Sequence, residues 1–262
     1  MHVWLNGALV DAAAARIAPG DRGFTLGDGL FETLAVRHGA PRRLEAHLAR
    51  LAEGARVIGL PLPVFDLPAI TAALLEANGL ADAVLRLTVT RGEGPRGVLP
   101  PAAPAPTLLV TAAALAPPAG PARLCVARVT RRNEHSPLAR IKSLNYLDNI
   151  LARQEAQQRG CDDALLLNTR GRVAESTIAN LFVVHDGALL TPPVADGALP
   201  GVMRADLLAR GAREAPLTLE DLAQASEIFL TSSLGIRPVA AVDDATFVAH
   251  PVADRLQAEL MP

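Results

Sequence analysis

The sequence predicts an α+β protein built from two unequal mixed domains, and three observations predict it. Its 262 residues are enough for two modest cores. Strand-like runs and stretches of helical period are mixed in both halves of the chain. Ala116-Pro117-Pro118-Ala119-Gly120-Pro121 divides those halves, because its prolines can join neither a helix interior nor a central strand. The expected organisation is a small N-terminal α/β domain over 1–115, a linker over 116–121 and a larger C-terminal mixed domain over 122–262.

In order, strands at 3–5 and 9–10 flank Asn6-Gly7, a dipeptide suited to a type I′ hairpin turn. The β-leaning run 30–37 is closed by His38-Gly39. Over 42–58, Leu44, Leu48, Leu51, Ala55 and Ile58 recur at helical spacing, and a second helix over 67–77 ends at Asn78-Gly79. Strands at 83–91 and 107–113 stand on either side of a loop rich in glycine and proline. Beyond the linker come a strand at 123–130, a helix at 144–159, and strands at 164–167, 181–184, 188–191 and 227–231. Helices at 203–213 and 251–260 complete the reading.

Composition narrows the function. A net charge of −2 gives no footprint for nucleic acid. No apolar run reaches the roughly 18 residues that a membrane helix needs. The opening residues lack the basic–apolar–small pattern of a signal peptide, so a cytoplasmic location is expected. Cys125 and Cys161 have neither metal-ligand spacing nor a disulfide framework, so no metal is expected. Arginine greatly outnumbers lysine, and Lys142 is the only lysine in the chain.

Gly92-Glu93-Gly94-Pro95-Arg96-Gly97 matches G-x-G-x-x-G after a strand, but a dinucleotide fingerprint must open a helix whose N-terminus meets the pyrophosphate. Val98-Leu99-Pro100-Pro101 follows, which cannot start one, so a flexible cationic loop is expected. Lys142, in Arg140-Ile141-Lys142-Ser143-Leu144-Asn145-Tyr146, reads first as a solvated helix-start residue. A Schiff-base lysine must instead be shielded from water or set beside another cation, which Ile141 and Leu144 would permit. Glu175, in Val173-Ala174-Glu175-Ser176-Thr177, reads either as turn punctuation or as a carboxylate at the lip of the buried run 181–184. Arg50 alone resembles any helix-surface arginine. Gly201-Val202-Met203 opens a helix whose free N–H groups suit phosphate, and Thr231-Ser232-Ser233 supplies hydroxyl donors at a strand end.

Together, and in this order, these residues resemble the class-IV aminotransferases along essentially the whole chain. The likeness extends to Leu5-Asn6-Gly7, Gly27-Asp28-Gly29-Leu30-Phe31-Glu32-Thr33 and Ile236-Arg237-Pro238-Val239. The resemblance implies fold type IV, pyridoxal 5′-phosphate (PLP) held where the two domains meet, an amino-acid-like small-molecule substrate and a homodimer. It implies that Lys142 forms the Schiff base and shuttles protons, and that Glu175 pairs the pyridine nitrogen, which keeps the ring an electron sink. Arg50, Gly201, the Val202 and Met203 N–H groups and Ser232 would hold the phosphate. Leu199 would lie against the ring, with Ser176, Ala179 and Asn180 around the cofactor.

Three activities within the family differ at the pocket. Branched-chain aminotransferases tend to have Phe-Glu-Gly, and D-amino-acid enzymes Tyr-Glu-Val, where this chain has Phe31-Glu32-Thr33. Aminodeoxychorismate lyases favour threonine there, and Thr33 could protonate the departing pyruvate unit. Residues 91–97 are similar to the lyases' R-G-x-G-x-R-G, with Arg96 at a carboxylate-binding position. Val98, however, departs from the histidine of the D-amino-acid enzymes and the tyrosine of the lyases. Ser233, in Ser233-Leu234-Gly235, also looks more lyase-like. The expectation is therefore lyase activity, with transamination of D- or branched-chain amino acids as the alternative. A catalytically silent PLP-binding scaffold is the rival outside enzymology; it would have no need of an intact Lys142, Glu175 and Arg50 set.

Overall fold

Alternation of apolar residues between His2 and Ala114 produces one antiparallel sheet. Its strands are β1 (His2–Leu5), β2 (Ala8–Asp11), β3 (Gly29–Arg37), β4 (Ala40–Pro41), β5 (Ala83–Thr90) and β6 (Thr107–Ala114), in the order β2-β1-β6-β5-β3-β4. Asn6 and Gly7 both take positive φ (47° and 91°), as a type I′ turn requires. Register puts Leu30 and Leu34 of β3, Leu85 and Leu87 of β5, and Leu108 and Val110 of β6 in one core. Helices α2 (Leu44–Ile58) and α3 (Leu67–Asn78) cover it with Leu51, Ala55, Ile70 and Leu74. Each such leucine, isoleucine or valine gains roughly 1.5–3 kcal/mol by leaving water. A short helix, α1 (Arg22–Leu26), precedes β3 and is capped by the Asp21 carboxylate.

The computed structural model describes residues 1–117 and 119–261, which divide into two units. The first is Met1–Ala116 with Ile141–Asn145; the second is Pro117–Arg140 with Tyr146–Pro262. The change of unit after Ala116 falls in the proline-rich stretch, of which Pro118 lies outside the described residues.

The second unit holds a nine-stranded mixed sheet. Its strands are β7 (Ala122–Val126), β8 (Asp163–Leu167), β9 (Val173–Ser176), β10 (Asn180–His185), β11 (Ala188–Thr191), β12 (Arg213–Glu214), β13 (Glu227–Ser232), β14 (Gly235–Val242) and β15 (Ala245–Thr246). The order is β12-β11-β10-β13-β14-β7-β8-β9, with β15 on β14; β7 runs parallel to both β14 and β8. Its helices are α4 (Leu147–Gln158), α5 (Val202–Ala209), α6 (Leu219–Ala223) and α7 (Pro251–Leu260). Leu181, Val183, Ile228 and Leu230 line one core, and Phe182 and Phe229, stacked at 5.4 Å, meet α5 and α7 in another.

Several boundaries differ from the sequence reading. The strand expected at 123–130 stops at Val126, because the amides of Arg128 and Val129 turn away to the Glu155 carboxylate on α4. The helix expected from 144 starts at Leu147, because Ile141–Asn145 packs with the first unit. The sequence places that segment, with Lys142, in the C-terminal domain; its packing puts it in the first unit. The helix expected to 213 ends at Ala209, two residues before Gly211 takes a φ of +102°. As expected, no helix follows the G-x-G-x-x-G stretch.

Candidate active site

In the first unit the site is organised by β3. Phe31 N donates to Lys142 O at 2.9 Å and Leu144 N donates to Gly29 O at 3.0 Å, so the lysine segment is added alongside the start of β3. Ile141 anchors it in the core shared by β3, α2 and α3. Lys142 is half-buried, with Nζ 4.3 Å from the centre of the Phe31 ring. The guanidinium carbon of Arg86 lies 3.9 Å from the centre of the same ring. Alternation sets Phe31 and Thr33 on one face of β3, and Arg86 of β5 stands opposite Thr33. Phe31, Thr33, Arg86 and Lys142 therefore gather on one stretch of sheet.

Glu32 lies on the opposite face, among the leucines, and is 1% exposed. It survives there because α2 supplies two partners one turn apart. Arg50 grips it with both ends of its fork, Nε to Oε1 at 2.8 Å and Nη2 to Oε2 at 2.6 Å, while His47 Nδ1 lies 2.7 Å from Oε2. Burial alone would raise the carboxyl pKa; Arg50 and His47 outweigh it and hold Glu32 below the usual carboxylate range. Arg50 thus has a fixed orientation that the sequence reading did not foresee. Arg96 is exposed on the loop after β5.

In the second unit Glu175 is buried on β9, paired with Leu166 of β8. Oε2 accepts from Leu199 N at 3.0 Å and from Asn180 Nδ2 at 3.2 Å, and Oε1 lies 2.8 Å from Arg132 Nη2. Arg132 is itself held by the carbonyls of Gly197 and Ala139, at 3.1 Å each. Asn180 also donates to Leu199 O at 2.9 Å, joining the carboxylate to the approach to α5. Gly201, the N-cap of α5, leaves no room for a side chain: a Cβ there would fall 1.9 Å from Asn180 Oδ1. Among the described residues no side chain caps α5, although Val202 and Met203 in its first turn are buried. The buried Thr231 hydroxyl, opposite Asn180 on β13, has no hydrogen-bond partner among the described residues. A buried, uncapped helix start and an orphaned hydroxyl fit a phosphate.

The remaining predicted residues shape the backbone. Ser176 Oγ accepts from Ala179 N at 3.1 Å and closes the β9–β10 turn. Ser232 Oγ accepts from Leu234 N at 3.2 Å, and Ser233, in the same turn, is half-buried. The sequence gives no sign of the parts played by Glu32, His47, Arg86 and Arg132, whereas Thr231 stands among its hydroxyl donors. Of the four, only Arg86 stands out, as a charge inside the otherwise apolar run 83–90. Among the described residues no His, Cys, Asp and Glu cluster could hold a metal, and no helix is long and apolar enough to cross a membrane.

Comparison with known proteins shows the family. Residues 29–242 match the family model described as amino-transferase class IV. A Methanocaldococcus jannaschii protein named for branched-chain-amino-acid aminotransferase activity is 36% identical, over 93% of this chain and 88% of its own. A D-alanine aminotransferase of Bacillus licheniformis is 30% identical, over 94% and 90%. The crystal structure of 4-amino-4-deoxychorismate lyase from Pseudomonas aeruginosa superposes with a TM-score of 0.84 at 39% identity, covering 98% of this chain and 97% of that one.

Proposed function

The chain belongs to the class-IV aminotransferase family and is a PLP-dependent enzyme of fold type IV, and from that premise we propose that it converts 4-amino-4-deoxychorismate to 4-aminobenzoate and pyruvate. The observation that carries this reading is Thr33, whose place on β3 is the same face as Phe31, the ring over which Lys142 lies. A hydroxyl there can give up a proton to a leaving group, which glycine or valine cannot do.

When bound, PLP supplies an aldehyde for the substrate amine and a ring that accepts electrons from a broken bond. Lys142 would hold it and then take the proton from the substrate carbon that bears the amine. Thr33 would protonate the enolpyruvyl oxygen as its bond to the ring breaks, which leaves the ring aromatic. Glu175, kept in place by Arg132, Asn180 and Leu199, would face the pyridine nitrogen. Arg50, oriented by Glu32, would take the phosphate with the Val202 and Met203 amides, Ser232 and the orphaned Thr231 hydroxyl. Leu199 would flank the ring, while Ser176, Ala179 and Gly201 give the surrounding backbone its shape. Phe31, Arg96 and Ser233 would contact the substrate, with Arg96 on a carboxylate.

A homodimer is the proposed assembly, supported by Phe24, Val98 and Leu99, which are 80%, 85% and 82% exposed in the single chain. The cytoplasm is the proposed location, in keeping with two free cysteines.

The similarity to branched-chain and D-alanine aminotransferases favours transamination as the second reading. The holoenzyme should release pyruvate and 4-aminobenzoate from 4-amino-4-deoxychorismate faster than it moves an amino group from D-alanine or L-leucine to a 2-oxo acid. Amino transfer without lyase product would overturn the first reading. PLP binding without turnover on any of the three would favour a silent scaffold.

A further inference from the structure

The loop that carries Arg96 has neither helix nor strand and contains three glycines within six residues, yet its root is held by an unusual buried cluster. Arg22, the first residue of α1, is 3% exposed. Its Nε donates to Asp28 Oδ2 at 2.8 Å, Nη1 to Gly97 O at 3.0 Å and Nη2 to Val98 O at 2.8 Å. One guanidinium therefore uses its whole fork, one edge on a carboxylate and the far ends on two consecutive carbonyls just after Arg96. Backbone bonds hold the other side of the loop: Arg22 N donates to Gly92 O at 2.8 Å and Gly94 N to Gly20 O at 3.3 Å. The arginine stem lies so close beneath the loop that a Cβ on Gly94 would fall 2.8 Å from Arg22 Cδ.

The base of this clamp is rigid. Asp21 caps α1 through Oδ1, and its Oδ2 accepts from Thr90 at 2.7 Å and Thr107 at 2.8 Å, which ties the start of α1 to β5 and β6. Asp28 is shared with Arg91, whose Nε lies at 2.8 Å and whose outer nitrogens reach the Gly59 and Ile58 carbonyls at the end of α2. A single carboxylate thus connects the Arg96 loop, the start of β3 and the end of the helix that carries Arg50.

We propose that Arg22 is a positioning residue for substrate recognition: it fixes the backbone on either side of Arg96 so that the loop meets a substrate carboxylate already ordered. The inference deepens the reading of Arg96 given above and rests on it. An unclamped loop this rich in glycine would lose conformational freedom at each binding event, and that loss appears as weaker substrate binding rather than slower chemistry. Lysine cannot replace Arg22, because a point charge on a flexible stem cannot serve a carboxylate and two carbonyls together.

The test uses holoenzyme carrying Arg22→Lys, Gly94→Ala, Arg96→Ala and the Arg22→Lys/Arg96→Ala pair. Gly94→Ala keeps the Arg22 charge and pushes its stem from beneath the loop, so it serves if Arg22→Lys folds poorly. The substrate is 4-amino-4-deoxychorismate, or D-alanine if the lyase assay is silent. Arg22→Lys and Gly94→Ala should each raise KM about tenfold, with kcat within about twofold and the PLP absorbance unchanged. Trypsin should cut after Arg96 sooner than in wild type and before other sites. The paired variant should have the KM of Arg96→Ala alone. An equal further rise in KM on top of Arg96→Ala would overturn the proposal, because Arg22 would then act independently of Arg96. Wild-type KM and wild-type cleavage in both Arg22→Lys and Gly94→Ala would overturn it as well. If Arg96→Ala leaves KM unchanged while Arg22→Lys still speeds cleavage, the clamp stands and the carboxylate role of Arg96 fails.

Discussion

Glu32 in the first unit and Glu175 in the second are both buried strand carboxylates, each paired with an arginine, and their surroundings differ in kind. Glu32 receives both its partners from α2, His47 and Arg50 lying one helical turn apart, so strand and helix form a local module. Arg50 takes both carboxylate oxygens, the geometry that best fixes a guanidinium plane. Glu175 draws on three separate segments, with Arg132 on one oxygen and two neutral N–H donors on the other. The difference teaches that equal burial does not mean equal use. Glu32 is arranged to orient its arginine, whereas the partners of Glu175 are arranged to orient the glutamate.

The most severe way to break this comparison is to remove the chemistry that both residues are proposed to serve. Lys142→Ala should abolish the yellow colour of the Schiff base and all turnover, since the chain has no second lysine. An unchanged spectrum would remove the cofactor role on which both carboxylates depend. Next in size, Glu175→Gln should keep PLP bound but lose on the order of 100-fold in kcat, about 2.7 kcal/mol. Near-wild-type turnover would show that Glu175 is not the partner of the ring nitrogen.

The opposite pattern is expected on the other side of the comparison. Arg50→Ala should weaken PLP binding by about 1.5–3 kcal/mol, the range of a charge-assisted hydrogen bond, and Glu32→Gln should weaken it about tenfold by releasing the guanidinium. Titrating activity against added PLP measures both, and kcat at saturating PLP should stay within a few-fold of wild type. A fall in kcat in Glu32→Gln with PLP affinity intact would mean that the two glutamates had been assigned the wrong way round.

The smallest effect is on acid stability. The pKa of Glu32 is depressed in the fold, so its contribution is complete above the unfolded value of 4.5 and is lost as pH falls below it. Asp28, held down by Arg91 and Arg22 against burial, loses its contribution below 3.8. Glu32→Gln should therefore make the stability–pH curve shallower from pH 4.5 downward, while the contribution of Asp28, lost below 3.8, remains. An identical acid limb in wild type and variant would show that Glu32 is not charged in the fold.

What was legible in the sequence was local. Helices α2 and α3 declared themselves by period, and the Asn6-Gly7 hairpin by dipeptide, because each depends on neighbours within a few residues. Strand β14 stayed hidden because Pro238 argues against a central strand; the proline lies opposite Phe229 of β13, and the pairing with β7 begins only beyond it, at Val239. The Glu175 segment offered a turn or a strand lip, and only its pairing with β8 settles that it is strand. Lys142, Glu175 and Arg50 are proposed through family order, whereas Arg132 and Glu32 carry no such signal. Their partners lie far along the chain or on a different element, and a buried ion pair leaves no periodic trace.

The placement of Ile141–Asn145 with the first unit has a consequence for synthesis. The first unit is continuous to Ala116, but its core lacks Ile141 until roughly thirty residues more have emerged, which takes about 2–6 s at ribosomal speed. During that interval the nascent domain has a hole where a buried aliphatic side chain belongs, a defect worth about 2–5 kcal/mol. Ribosome-bound chains long enough to expose residue 120 outside the exit tunnel should consequently yield to protease more readily than chains long enough to expose residue 145.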